Sequence, residues 1–163
     1  MPPGKGVNSY IDIEKQRFQT INDAVKLIHR GCFLAKIYLR HAYRSVSVHP
    51  SNFKALGLKC KFKGFSFFTY LVDTRLPFGG RSAPGIFHRI TQAIRRMMAR
   101  RGFEVVVYLD DFLVIGKTQQ ECQNGFNILS ELLVSLGFEL SPSKLVEPCQ
   151  SLISLVCYLT QLY

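Results

Sequence analysis

Two short apolar runs enclose a pair of aspartates near the middle of the chain. Residues 105–107 (Val-Val-Val) precede Tyr108-Leu109-Asp110-Asp111, and residues 112–115 (Phe-Leu-Val-Ile) follow it. Both runs have the length and side-chain types of buried strands, so the segment predicts a hairpin with two carboxylates at its tip. Adjacent carboxylates in apolar surroundings need a compensating cation, and hard oxygen ligands suit Mg²⁺. An acidic turn without a ligand is the alternative, and the tetrapeptide alone does not decide between them.

The composition is that of one globular domain. The 163 residues suffice for a single core, and no apolar run approaches the roughly 20 residues of a membrane-spanning helix. Residues 1–6 lack the apolar stretch of a signal peptide, so we expect an intracellular protein of the cytoplasm or nucleus that is not secreted. Five cysteines without close paired spacing indicate neither a disulfide framework nor a zinc site.

The charge balance points to a polyanionic partner. The formal net charge is +10, and nucleic acid is the most common partner of such a domain. The densest basic run places Arg95, Arg96, Arg100 and Arg101 around two methionines on a predicted helix. We expect these arginines to contact nucleic acid, and a solvated helix face is the alternative. A basic stripe does not distinguish DNA from RNA.

The first half of the chain predicts one helix and four strands. Thr20 and Asp23 form a capping box for a helix that reaches Ile28 and stops at Gly31. Residues 33–39 have the composition of a strand that enters the core. Residues 44–48 alternate as in a strand until Pro50, and residues 56–58 and 65–70 predict a hairpin.

The second half predicts two amphipathic helices that flank the aspartate hairpin. The first follows a loop at residues 76–85, has Pro84 in its first turn, and carries the apolar stripe Phe87, Ile90, Ile94 and Met97. The second begins at a capping box, residues 118–121, and ends at Gly137; its apolar face is Cys122, Phe126, Leu129, Leu133 and Leu136. A strand at residues 138–140 and a turn at 141–144 follow. This order predicts an α+β two-layer domain with helices on one face of an antiparallel sheet.

With these elements in order, the chain resembles the palm domain of a reverse transcriptase. Residues 108–111 are similar to the family's Tyr-x-Asp-Asp signature, and residues 76–84 are similar to the loop before the palm helix. Residues 36–43 align with the first palm strand, and Lys144 falls where the family has a basic residue after the last palm helix. The amino-acid sequence of residues 81–87 is similar to that of retrotransposon enzymes of the long-terminal-repeat and DIRS-like kinds.

The resemblance implies an RNA-directed DNA polymerase that uses two Mg²⁺ ions, with Mn²⁺ as a substitute, spaced about 3.5–4 Å apart. It implies an RNA template, a DNA primer and a deoxynucleotide as partners, and no membrane. The metal ligands would be Asp110 and Asp111, and Lys144 would donate a proton to the pyrophosphate. Tyr43, Phe78 and Gly79 would lie beside the nucleotide, and Arg81 would join the helix arginines on nucleic acid. The alternatives are a core aromatic for Tyr43 and a solvated turn lysine for Lys144.

One departure from the family pattern decides the expected activity. The family reads Lys-x-Asp-Leu-x-x-Ala-Tyr in the first palm strand, whereas Tyr38 occupies the aspartate position here. A phenol has a pKa near 10 and is a poor Mg²⁺ ligand at pH 7. The nearby sequence offers no acidic substitute, and neither Asp73 nor Glu104 can be assigned that role. We therefore expect an inactive or impaired enzyme; a non-catalytic nucleic-acid-binding protein derived from a retroelement and an erroneous gene model are the alternatives.

The resemblance also divides the chain. It predicts a partial fingers segment at residues 1–32, the palm at 33–153, and an atypical tail at 154–163 of the kind a frameshift would produce. The upstream fingers, the thumb and any ribonuclease H segment are expected to be missing. A palm without these neighbours exposes apolar surface, and we expect Phe65, Phe67 and Phe68 to belong to it.

Overall fold

The computed structural model describes residues 6–13, 15–150, 152–154 and 157–159. Its helices are α1 (Ile21–Val25), α2 (Ala83–Arg100) and α3 (Gln119–Ser135). Its strands are β1 (Phe33–Arg40), β2 (Gly57–Cys60), β3 (Thr69–Val72), β4 (Glu104–Tyr108), β5 (Asp111–Gly116), β6 (Glu139–Leu140), β7 (Val146–Cys149), β8 (Leu152–Ser154) and β9 (Cys157–Leu159). Short 3-10 turns lie at Val7–Tyr10, Ala42–Ser45, Pro50–Ala55 and Pro142–Lys144. None of the described helices is long and apolar enough to cross a membrane.

The central sheet has five antiparallel strands in the order β4-β5-β1-β6, and β7 also pairs with β1. Because β1 pairs with β5, the end of β1 lies beside the tip of the aspartate hairpin. The register places Tyr38 opposite Asp111, and Tyr108 faces Asp111 from the other side. Two further two-stranded ribbons, β2–β3 and β8–β9, form separate sheets among the described strands.

The alternation of side chains along β1 gives the sheet two different faces. Ala35, Ile37 and Leu39 are buried in the main core, which the long helices α2 and α3 complete. Leu34 points the other way, into a smaller cluster that includes residues of β4 and β5 and Ala24 of α1. The predicted α+β two-layer architecture, with the long helices on one face, is therefore confirmed.

The predicted helices are present, but one residue of each predicted apolar stripe is exposed, Met97 in α2 and Leu136 after α3. Met97 is 37% exposed, whereas Met98 is fully buried. The buried positions of α2 include Phe87, Ile94 and Met98. The face of α2 that packs against the core therefore contains Met98 and not Met97. Leu136 is also exposed, because α3 ends at Ser135 and the chain turns away there.

Three element bounds differ from the prediction. The helix that begins at the Thr20–Asp23 capping box ends at Val25 rather than near residue 28. Residues 44–48 do not form a strand. The 3-10 turn Ala42–Ser45 includes the first two of these residues, and Ser47 forms an isolated β-bridge with Arg75. The predicted hairpin at residues 56–58 and 65–70 exists, but its strands are β2 and β3, which lie slightly further along the chain.

Other predictions concern the cysteines and the tail. Among the described residues, Cys32 and Cys122 are buried, and the thiol of Cys149 donates to the carbonyl of Leu34 at 3.6 Å. The predicted atypical tail, 154–163, lies mostly outside the described residues; within it the backbone of Ser154 and of β9 is described as part of the β8–β9 ribbon.

Candidate active site

The aspartate hairpin has the predicted form, and its tip is hydrogen-bonded to the end of β1. Leu109 has a φ of 52°, a left-handed conformation that is uncommon outside glycine and that makes the turn tight. The backbone N–H of Leu39 donates to the carbonyl of Asp110 at 3.0 Å. Asp110 and Asp111 are thereby held beside residue 38, the position at which the resemblance implies a third carboxylate.

Asp111 is neutralised by a lysine that the sequence analysis missed. The ammonium of Lys36 lies 3.0 Å from the carboxylate of Asp111, and both side chains are less than a tenth exposed. Lys36 and Asp111 are diagonal neighbours on one face of the β1–β5 pair, since Tyr38 stands directly opposite Asp111. The signal in the sequence was a lysine within an apolar strand, because a buried charge requires a partner.

Tyr38 forms the corresponding contact with the other aspartate. Interaction with the carboxylate of Asp110, together with burial and the charges of Asp110 and Asp111, raises the pKa of Tyr38 to about 12. The phenol is therefore neutral at pH 7. A neutral side chain thus stands where the resemblance implies a third negative charge.

Lys144 lies beside this group. Its ammonium is 3.8 Å from the centroid of the Tyr38 ring, a cation–π geometry. The 3-10 turn that carries Lys144 is attached to β1, because the backbone N–H of Ser141 donates to the carbonyl of Tyr38 at 2.9 Å. The structure thus places Lys144 beside Tyr38, the residue that stands opposite Asp111.

The predicted nucleotide-binding residues form a small aromatic group. The ring of Tyr43 stacks on Phe87 at 5.0 Å and lies 5.2 Å from the ring of Phe78. Burial, followed by the charges of Asp110 and Tyr108, raises the pKa of Tyr43 above its ordinary value. Phe78 is 69% exposed, so this group has one buried and one open end. Gly79 has a φ of 81° and its carbonyl accepts from the side-chain amide of Asn8 at 2.8 Å.

The five candidate arginines do not form one patch. The backbone N–H of Arg81, just before α2, donates to the side chain of Asn8 at 2.9 Å, and Arg81 lines a cavity of about 210 Å³. Arg96 lies fifteen residues further along and about 22 Å away at the rise of an α-helix. Arg96, Arg100 and Arg101 are exposed, and no carboxylate within the described ranges forms an ion pair with them. Arg95 is half-buried and donates to Gln92 at 2.9 Å.

The donor atoms at the hairpin do not fit two divalent ions. Within the part of the chain that is described, no group of three histidine, cysteine, aspartate or glutamate side chains could hold a metal ion. Asp73 pairs with Arg44 at 2.6 Å, and Glu104 is at the opposite end of β4 from the tip, so neither replaces the missing carboxylate. Of the two hairpin carboxylates, Asp110 interacts with the neutral phenol of Tyr38, and Asp111 is paired with the ammonium of Lys36.

A helix-backed antiparallel sheet with a carboxylate hairpin beside its central strand defines a polymerase palm domain. The chain belongs to the reverse transcriptase family: residues 2–152 match the family described as "Reverse transcriptase (RNA-dependent DNA polymerase)". It is a reverse transcriptase domain of a retroelement. The Gag-Pol polyprotein of gibbon ape leukemia virus is 27% identical to it over 125 residues, a match that covers 74% of this chain and 7% of the polyprotein.

Solved structures of foamy viral protease-reverse transcriptase share the fold. The complex of that enzyme with double-stranded DNA has a TM-score of 0.74 at 17% identity, over 91% of this chain and 29% of the enzyme chain. The native enzyme of prototype foamy virus has a TM-score of 0.72 at 18% identity, over 90% of this chain and 18% of that chain. The complex with an RNA/DNA hybrid has a TM-score of 0.64 at 18% identity, over 76% of this chain and 15% of that chain. The chain therefore spans only a minor part of the relatives that it matches.

Proposed function

We propose that this chain is the palm of an RNA-directed DNA polymerase in which nucleotidyl transfer is impaired at Tyr38 while binding to nucleic acid is retained. The observation that supports this proposal is the position of Tyr38, which stands directly opposite Asp111 in the register of β1 and β5, while the backbone N–H of the next residue, Leu39, donates to the carbonyl of Asp110. A phenol therefore lies beside the two carboxylates that the resemblance assigns to metal binding. Its raised pKa keeps it neutral at the pH at which polymerases work.

The charges at the hairpin argue in the same direction. Lys36 carries one positive charge and the two aspartates carry two negative charges, so these side chains have a net charge of −1. The ammonium of Lys144 beside the Tyr38 ring brings the local sum to zero. A site that must hold divalent cations needs a negative surplus, which an aspartate at position 38 would supply. Asp110 and Asp111 remain the proposed ligands for any Mg²⁺ or Mn²⁺ that binds.

The proposed partners are an RNA template, a DNA primer and a deoxynucleotide. The net charge of +10 and the exposed arginines at the end of α2 favour a polyanion. Foamy viral relatives have been solved with double-stranded DNA and with an RNA/DNA hybrid. We assign the aromatic group of Tyr43 and Phe78, with Gly79, to the nucleotide, and Lys144 to the pyrophosphate in an active ancestor.

The experiment is reversal of the substitution at position 38. Tyr38→Asp is placed in this chain with the fingers and thumb of a related retroelement enzyme joined to it, and primer extension is measured with Mg²⁺. We expect Tyr38→Asp to extend the primer and the Tyr38 protein to extend it at least tenfold more slowly. Tyr38→Asn is the matched control, since it has the size of aspartate without the charge and should stay inactive.

Two outcomes would contradict the proposal. Equal extension by the Tyr38 protein and by Tyr38→Asp would show that the phenol does not impair the reaction. Inactivity of Tyr38→Asp in a protein that still binds primer–template would show that the lesion lies elsewhere. Calorimetric titration with Mg²⁺ gives a second readout, because Asp110→Ala should weaken any binding that the parent retains.

The second candidate function is a non-catalytic nucleic-acid-binding protein, and the exposed arginines favour it. In that case Tyr38 is an adaptation that lets the palm bind nucleic acid without divalent cations. Binding of a primer–template by the parent chain in the presence of a chelator, at the same affinity as with Mg²⁺, would support this function. Loss of that binding in the chelator would argue against it.

A further inference from the structure

The β2–β3 ribbon, residues 57–72, is unusual in how much aromatic surface it exposes. Tyr70 is 74% exposed and Phe68 is 52% exposed, and three more phenylalanines of the ribbon are similarly open: Phe62, Phe65 and Phe67. Among the described strands, β2 and β3 pair only with each other. The expectation that Phe65, Phe67 and Phe68 are exposed is confirmed, but the surface to which they belong is larger and is not uniformly apolar.

Lysines are interleaved with these rings on one face of the ribbon. Lys59 stands opposite Tyr70 in the register of β2 and β3. Its ammonium lies 4.2 Å from the centroid of the Phe68 ring and 5.8 Å from that of Tyr70. The ammonium of Lys61 lies 5.9 Å from the centroid of the Phe68 ring. Each of the two ammonium groups therefore lies within 6 Å of an exposed aromatic ring.

The surrounding sequence is free of negative charge. No aspartate or glutamate occurs between residues 41 and 72, whereas Lys54, Lys59, Lys61 and Lys63 all do. A second copy of this chain would bring like charges together if it docked ribbon to ribbon. A protein partner that covered only the aromatic rings would have to remove the adjacent ammonium groups from water. A flexible polyanion with flat apolar groups fits both features.

We propose that the β2–β3 ribbon binds single-stranded nucleic acid, with bases stacked on Phe68 and Tyr70 and phosphates beside Lys59 and Lys61. Single strands present free base faces, whereas a duplex stacks its bases internally. The site needs no metal and lies on a different ribbon from the aspartate hairpin. It goes beyond the proposed palm function, because none of the residues assigned to nucleic acid or nucleotide above belongs to the ribbon.

The test measures binding of the full chain to a fluorescent twelve-nucleotide oligothymidylate by anisotropy, in the presence of a chelator. Tyr70→Ala and Phe68→Ala should each raise the Kd about fivefold or more, as expected for the loss of one base stack. Lys59→Gln combined with Lys61→Gln should reduce the slope of log K against log salt by about 1.4, since each phosphate contact on a single strand contributes about 0.7. The aromatic variants should leave this slope unchanged.

Matched controls come from exposed positions elsewhere. Val134→Ala removes an exposed apolar side chain of α3, and Lys117→Gln removes an exposed charge before α3; both should leave the Kd unchanged. Because every substituted side chain is exposed, the variants are expected to fold, and circular dichroism checks this. Photo-crosslinking of the parent chain to a bromouracil oligonucleotide gives a readout that needs no variant, with adducts expected between residues 59 and 70.

Several results would overturn the ribbon proposal. Unchanged affinity in Tyr70→Ala and Phe68→Ala would do so, as would crosslinks confined to α2. An equal loss of affinity for an RNA/DNA hybrid would also contradict it, because stacking on free bases requires a single strand. If hybrid binding persists while the ribbon variants have no effect on oligothymidylate, the ribbon proposal fails and the proposed palm function stands.

Discussion

The buried ion pair between Lys36 and Asp111 offers a direct test of how charge is compensated at the candidate site. Lys36→Met would remove the ammonium and leave the carboxylate in a position that is 8% exposed. Asp111→Leu would leave the ammonium in a position that is 7% exposed. The double variant would replace both charges by apolar side chains and leave no charge uncompensated.

The expected costs follow from the geometry. At a separation of 3.0 Å, the attraction of the two charges is about 5–6 kcal/mol with an effective dielectric constant near 20. Burial of each ion costs several kcal/mol, so the intact pair contributes little net stability. Removal of one partner loses the attraction and retains the burial cost of the other, which destabilises by about 3–5 kcal/mol. The double variant should therefore be more stable than either single variant.

Urea unfolding followed by far-ultraviolet circular dichroism measures these free energies. Arg40→Met is the matched control, because Arg40 lies on the same strand and pairs with Glu139 at 2.9 Å while both side chains are more than half exposed. It should cost no more than about 1 kcal/mol. If the double variant proved as unstable as Lys36→Met, or if Lys36→Met cost no more than the control, the reasoning would be refuted.

Three further predictions concern single positions. The pKa of Tyr38 is raised from an ordinary 10 to about 12, so its stabilising contribution is complete below pH 10 and is lost as the pH rises to about 12. Tyr38→Phe should remove this part of the pH dependence of the free energy of unfolding, measured by urea unfolding between pH 8 and 12, and an unchanged pH dependence would contradict the assignment. Gly116→Ala would place a Cβ 2.5 Å from the backbone nitrogen of Cys122 and should cost about 1–3 kcal/mol in thermal unfolding, and an unchanged melting temperature would contradict the packing. Leu133→Ala should lower the free energy of unfolding by about 2–5 kcal/mol because Leu133 is fully buried. Leu136→Ala should change it by about 0.5 kcal/mol or less because Leu136 is exposed. Equal costs in denaturant unfolding would count against the observed end of α3.

Local patterns were enough to predict the elements that are both periodic and well bounded. The aspartate hairpin, α2 and α3 lie where the sequence predicts them, because alternation, capping residues and a proline in the first turn are properties of short segments. The resemblance to the palm of a reverse transcriptase was also available from the sequence, because its motifs occur in order along the chain.

The errors arose where the answer depends on packing from outside the segment. Met97 and Met98 are adjacent and chemically identical, so only the orientation of α2 against the sheet determines which one is buried. Residues 44–48 alternate in polarity, but His41, with a φ of 52°, turns the chain out of β1 and into a 3-10 turn. The exposure of Leu136 depends on where α3 stops relative to the core.

The sequence by itself determined the strand–carboxylate–strand hairpin, the amphipathic helices, the positive charge and the substitution of tyrosine for aspartate at position 38. Only the tertiary structure decided the partners of the two hairpin carboxylates, Lys36 for Asp111 and the Tyr38 hydroxyl for Asp110. The physical reason is that these contacts depend on the order of strands in the sheet and on the register of β1 against β5. Both are set by hydrogen bonds between segments far apart in the chain, and no local pattern specifies them.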